Sequence, residues 1–152
     1  MSDLLGADFL GAFAVVQRGE SVLLVGNDRT IGGLPTRVFD LPGGRVEAGE
    51  LLHEAVAREL REETGLIVRS APRLLFVQEG QRCVGGVRKH AWRSFFFAVD
   101  VQPGEPRAGA EVLATRWMDR ATMLRELTAP YHDSFRQWLV HGGLHFQSRW
   151  DD

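Results

Sequence analysis

Gly44-Arg45-Val46-Glu47-Ala48-Gly49-Glu50-Leu51-Leu52-His53-Glu54-Ala55-Val56-Ala57-Arg58-Glu59-Leu60-Arg61-Glu62-Glu63-Thr64-Gly65-Leu66 is the stretch on which the reading of this chain turns. From Glu50 to Thr64 nearly every residue is a good helix former and none is glycine or proline. Gly65 stands where a C-terminal cap belongs, so a helix is expected over 50–64. At about 100° per residue, Glu59, Glu62 and Glu63 fall at i, i+3 and i+4, three carboxylates on one side of that helix. Like charges so placed cost an isolated helix about 0.2–0.5 kcal/mol per pair, so the cluster asks for a cation. Hard carboxylate oxygens suit Mg²⁺ or Mn²⁺, ions that retain water and bind phosphate oxygens at open positions. A solvated acidic face balanced by Arg58 and Arg61 accounts for the same spacing.

Outward from the helix, Ala12–Val16 and Ser21–Val25 flank Arg18-Gly19-Glu20 and read as two strands of one hairpin. Residues 26–41, punctuated by Gly32-Gly33 and Pro35, read as mostly loop with a short extended piece at Val38-Phe39. After the helix, Leu66–Val68, Leu74–Val77 and Trp92–Val101 read as extended, with Gly85-Gly86 as a turn. A Gly/Pro-rich loop over 102–109 leads to a short strand, Leu113–Met118. Asp119 caps a helix to about Leu127, and a last helix follows Pro130 to about Val140. The tail from Leu144 to Asp152 shows no clear periodicity. With no repeat and no linker, one domain over 1–152 is expected, its core at about 11–140.

Composition narrows the function classes. The chain has 152 residues, 44% hydrophobic and 25% charged, which suits one globular domain. No apolar run approaches the roughly 20 residues that span a bilayer, and the start carries no basic n-region, so a cytoplasmic protein is expected. A single cysteine, Cys83, excludes an internal disulfide framework and a cysteine-rich zinc site. The net charge of −2 argues against nucleic-acid polymers and anionic membranes as partners. Locally, residues 45–63 carry −3 and residues 64–99 carry +5, a juxtaposition able to seat a cation beside a polyphosphate.

Gly44, Glu50, Arg58, Glu59, Leu60, Glu62, Glu63, Gly65 and Leu66 fill every fixed position of G-x5-E-x7-R-E-U-x-E-E-x-G-U, with U aliphatic. The segment resembles the Nudix box, and the layout around it, from about Gly11 to Val140, is similar to that family's. The resemblance implies an α/β fold, an α/β/α sandwich around a mixed β-sheet, and hydrolysis of a nucleoside diphosphate linked to a further group. It also implies Glu59, Glu62, Glu63 and the Gly43 carbonyl as metal ligands for Mg²⁺ or Mn²⁺, with Glu50 as a weaker or water-mediated partner. Arg58 would orient a carboxylate, and Gly43 and Gly44 would let backbone approach metal and phosphates. The general base is either Glu59 or Glu111, the latter lying just past the 102–109 loop; spacing does not choose between them.

The family's marks for ADP-ribose, dinucleoside polyphosphates and coenzyme A are missing: Gly80–Cys83 carries no proline or tyrosine, and the only tyrosine is Tyr131. Nucleoside triphosphates, the preference of small MutT-like members, are therefore the expected substrates, with nucleotide sugars or dinucleoside polyphosphates as the alternative. Phe39, Trp92 and Trp117 are candidates to stack a base, although aromatics on strands more often pack the sheet. Arg93, among Arg82, Arg88 and Lys89, is the candidate for distal phosphates. A small nucleotide is the expected partner, and a homodimer is left open. A nucleotide-sensing module without catalysis would be expected to have lost box carboxylates; none is lost. Isomerisation of an isoprenoid diphosphate is a further alternative, disfavoured by the intact box.

Overall fold

In a computed structural model of the chain, residues 8–151 are described. From Ala12 onward, strand β1 (Phe9–Val15) alternates small and large residues, and that alternation sets the layering. Ala12 and Ala14 face helix α1 (Leu52–Thr64) in a cluster with Ala55, Val56, Leu60 and Phe97. Val15 faces the other way, into a second cluster with Phe76, Phe96, Met123, Leu127 and Phe135. Phe96 and Phe97 thus serve opposite faces of one strand, as a period of two requires. Burial of Leu60 alone is worth about 1.5–3 kcal/mol, which fixes the helix against the two alanines.

The central sheet has five strands in the order β5-β1-β7-β6-β9, from β5 (Gly43–Arg45), β6 (Arg73–Val84), β7 (Val87–Ala98) and β9 (His145–Asp151). It is mixed: β1 runs parallel to β7 and β9 parallel to β6, while the other pairs are antiparallel. A second sheet centres on β3 (Ser21–Ile31), which pairs antiparallel with β2 (Gln17–Arg18), β4 (Leu34–Asp40) and β8 (Ala114–Asp119). Helices α2 (Arg120–Glu126) and α3 (Asp133–His141) join through a 3-10 turn at Pro130–His132 and contribute to the second cluster. No helix among the described residues is long and apolar enough to cross a membrane.

Three expectations need correction. Ala12–Val16 and Ser21–Val25 do not form one hairpin: the chain changes sheets at Val16, and the hairpin partner of β3 is only the two-residue β2. Residues 26–41 are not a loop but the β3–β4 hairpin, with Ile31 paired to Leu34 across Gly32-Gly33. Both glycines have positive φ, +59° and +79°, the geometry a two-residue turn needs to match strand twist. Pro35 is tolerated because β4 is an edge strand. Finally, the tail is strand β9, whose Phe146, Ser148 and Trp150 alternate with exposed His145, Gln147 and Arg149. Boundaries shift elsewhere: β6 and β7 are each 12 residues long, and Leu66–Val68 contributes only an isolated bridge from Val68 to Val101.

Candidate active site

The last two turns of α1 carry the acidic cluster, and Arg58 sits in its midst. Its Nε and Nη2 donate to Glu50 at 2.5 and 3.0 Å, and its Nη1 to Glu59 at 3.0 Å and Glu62 at 2.8 Å. Nη2 also donates to the Arg45 carbonyl at 3.1 Å, tying α1 to β5. Only a planar fork with five donors can serve so many acceptors, and the surrounding carboxylates hold it firmly protonated. Arg58, with help from the Glu47 amide, holds the Glu50 carboxyl down to about 2. Glu50 is therefore the anchor of Arg58 in this arrangement.

Glu63 points the other way, its Oε1 accepting from the Gly43 amide at 2.8 Å. Burial pushes its carboxyl up to about 8, with the charges of Glu59, Asp40 and Glu111 adding and the Gly43 amide opposing. Burial likewise raises Glu59, against Arg58, with Glu62 and Glu111 adding. Gly44 is needed at its place: a Cβ there would stand 2.9 Å from Glu59 Oε1. Glu111 reaches this field because its loop is laced to the end of α1. The Arg107 and Gly109 amides donate to the Thr64 and Glu63 carbonyls at 2.9 Å, and Leu113 to Gly26 at 2.8 Å. A side chain at Gly109 would collide with the Glu62 carbonyl, so the approach is as close as backbone allows.

As the side chains stand, no three carboxyl groups converge as ready cation ligands among the described residues. Arg58 holds Glu59 and Glu62, and Glu63 is folded onto Gly43. The donor set nonetheless fits a hard divalent ion: several carboxylates against one guanidinium leave uncompensated negative charge, which adds to the burial that chiefly raises Glu63 and Glu59.

Beyond Gly43, Arg45 and Glu63 a cavity of about 590 Å³ opens between the two sheets. On one wall lies buried Asp40, which accepts from Tyr131 Oη at 2.9 Å and Arg29 Nε at 3.0 Å, and meets His132 Nε2 at 2.9 Å. The Ala129 amide donates to His132 Nδ1 at 3.3 Å, so Nε2 carries the proton toward Asp40. Burial pushes the Asp40 carboxyl up, but His132, Arg29 and Tyr131 outweigh it and hold the group below its ordinary value. The same burial and the Asp40 charge drive the Tyr131 phenol upward.

Glu50, Arg58, Glu59, Glu62, Glu63, Gly43, Gly44 and Glu111 are thus brought into one region, and Trp92 lines the adjoining cavity. Three other candidates lie elsewhere. Phe39 packs beside the second core cluster, with Arg116 over its ring at 5.6 Å. Trp117 packs beside the first, with Arg18 over its ring at 4.1 Å. Arg93 lies on the face of β7 opposite Trp92 and Ser94, 3.6 Å from Asp8 and 3.9 Å from Glu79. Sequence reading missed Asp40, Tyr131, His132, Gln78 and Trp150. For Trp150 the period-two spacing of the tail was a usable signal; for Asp40, within an apparent loop, there was none.

A mixed-sheet α/β/α fold with an acidic, arginine-tied helix at the mouth of a deep cavity defines the Nudix class of domain. The chain belongs to this family: a NUDIX domain is matched over residues 8–139. It is 41% identical over 81 residues to the ADP-ribose pyrophosphatase of Methanocaldococcus jannaschii, covering 53% of this chain and 46% of that protein. The chain therefore matches about half the length of that curated relative. Among solved structures it resembles the MutT protein from Bacillus halodurans, with a TM-score of 0.76, 23% identity, and 94% and 90% of the two chains covered. It also resembles the MutT NUDIX hydrolase from Burkholderia pseudomallei, with a TM-score of 0.66, 25% identity, and 88% and 97% covered.

Proposed function

We propose that this chain is a divalent-metal-dependent pyrophosphohydrolase that cleaves a nucleoside diphosphate linked to another group, by attack of water on phosphorus. The observation that carries this reading is the concentration of three carboxylates at the end of one helix, Glu59 and Glu62 on Arg58 and Glu63 on the Gly43 amide, at the mouth of a nucleotide-sized cavity. Glu59, Glu62 and Glu63, with the Gly43 carbonyl and Glu50 in support, would hold Mg²⁺ or Mn²⁺. Such an ion, when bound, neutralises phosphate charge and acidifies the attacking water. Arg58 positions Glu59 and Glu62 by one nitrogen, so it is a positioning residue. Glu59 or Glu111 accepts the proton of the water, both lying in one electrostatic neighbourhood. The cavity takes the nucleoside and leaves the pyrophosphate at Gly43 and Gly44.

Nucleoside triphosphates are the first substrates to try. The relative named as an ADP-ribose pyrophosphatase makes ADP-ribose the second. Products are measured after incubation with nucleoside triphosphates, nucleotide sugars, dinucleoside polyphosphates, ADP-ribose and coenzyme A, with and without Mg²⁺ or Mn²⁺. Metal-dependent cleavage of one class is expected; folded protein that binds nucleotides yet turns over none of these would replace the hydrolase with a nucleotide sensor.

A further inference from the structure

Strand β9 lies beyond the residues matched to the family, yet Ser148 and Trp150 reach the cavity side of the sheet. Across the cavity floor the strands place residues in rows. Phe13, Phe96 and Phe76 form one row and Phe9 and Trp92 another, with Gly11, Ser94 and Gln78 between them. A polar trough flanked by aromatic rows accepts the edge of a flat ring while its faces meet carbon. Trp92 is fixed as one such surface: its indole lies against Gly80 on β6, where any side chain would collide with it. Tyr131 and Trp150 stack 5.8 Å apart on the far wall.

Gln78 is the polar group best placed to read that edge. It is only 3% exposed, as is its ladder partner Ser94, and both line the cavity. The Gln78 amide nitrogen donates to Ser148 Oγ on β9 at 2.9 Å. Its carbonyl oxygen accepts no hydrogen bond from the described residues. Gln78 lines the cavity, and an amide carbonyl open to it favours a ligand that brings a donor and disfavours one that presents another acceptor.

Resting on the reading of the chain as a nucleotide hydrolase, we propose that the Gln78 amide, its nitrogen engaged by Ser148, turns its carbonyl toward the cavity, so that the site selects nucleobases with an amine at the purine 6 or pyrimidine 4 position. Adenine and cytosine offer that donor where hypoxanthine and uracil offer a carbonyl. The specificity element is thereby supplied in part by a strand outside residues 8–139, the stretch matched to the family, and Gln78 and Ser148 act on selectivity and not on the chemical step.

The test uses free nucleosides, so that neither phosphate nor metal takes part. Adenosine, inosine, cytidine and uridine are titrated against the full chain by calorimetry, with tryptophan fluorescence as a second signal. Adenosine and cytidine are expected to bind about tenfold more tightly than inosine and uridine. Ser148→Ala and Gln78→Met should each bring those ratios toward one, and Trp92→Leu should weaken all four nucleosides together. Thermal melts check folding; if Gln78→Met does not fold, Ser148→Ala, at the sheet edge, carries the test alone. Equal affinities in the wild type, a preference for inosine and uridine, ratios unmoved by Ser148→Ala, or no nucleoside binding would each overturn the proposal. Selective binding without hydrolysis of any diphosphate linkage would sink the hydrolase and leave the selective subsite standing; hydrolysis without selectivity would do the reverse.

Discussion

Gly44→Ala isolates the acidic cluster from the rest of the molecule. The added methyl would stand 2.9 Å from Oε1 and 3.1 Å from Oε2 of Glu59, where ordinary contact begins at 3.4 Å. Gly44 is not among the glycines with positive φ, so the backbone accepts alanine without strain and the effect is purely steric. The carboxylate has to retreat by about 0.5 Å, against the 3.0 Å hydrogen bond that Arg58 makes to the same oxygen. A displacement of about 1 Å at a reacting centre costs up to about a hundredfold, so kcat should fall by roughly 10- to 100-fold, or about 1.4–2.7 kcal/mol of barrier. KM should change by less than kcat, because the cavity proposed for the nucleoside lies on the far side of Gly43 and only the pyrophosphate would rest beside Gly44. Overpacking of about 1 kcal/mol would lower Tm by only about 2–4 °C. The assay is initial rates over a substrate series at saturating metal, beside a thermal melt. Wild-type kcat in a folded Gly44→Ala protein would refute the placement of the Glu59 carboxylate in the working site.

Glu62→Gln keeps shape and removes a charge, so turnover should drop by at least about a hundredfold while the protein stays folded, whereas exposed Glu47→Gln should be nearly silent in the same rate assay. Glu63 has a folded-state value of about 8 against an ordinary 4.5, so the fold favours its protonated form. Its contribution is complete below about pH 4.5 and is lost as pH rises through 8, so metal-free Tm should fall over that window. Glu63→Gln should flatten the fall and Mg²⁺ should reduce it; a melt series with identical slopes in all three samples contradicts the assignment. Asp40→Ala removes the acceptor of Tyr131, His132 and Arg29 and should cost about 3 kcal/mol, read as a fall in urea midpoint at constant m.

The helix and its carboxylates were legible in the sequence because periodicity, capping and spacing agree over one continuous segment. The half of the candidate site proposed for hydrolysis is local to α1, with Glu111 near enough in pattern to be singled out. The cavity was less legible for a physical reason. Asn27 and Arg29 line the cavity and Asp28, Arg29 and Thr30 are exposed, so the second half of β3 lacks the apolar alternation that marks a strand. Asp40 and Tyr131 meet across 91 residues, and no local pattern announces such a pair. Phe39 and Trp117 looked like stacking residues because aromatics serve packing and recognition alike; only their neighbours, core clusters and arginines, distinguish the two uses.

The parallel docking of β9 onto β6 has a bearing on solubility. It covers the backbone of β6 from Val77 to Cys83, which would otherwise be a bare margin of unpaired amides and carbonyls. The margin β9 itself presents carries His145, Gln147, Arg149 and Asp151, with Arg149 and Asp151 paired at 2.8 Å. Charged residues on an outermost strand discourage a second molecule from adding to the sheet. The last seven described residues therefore act as a selvedge: shortening the chain before His145 would expose a ready template for self-association.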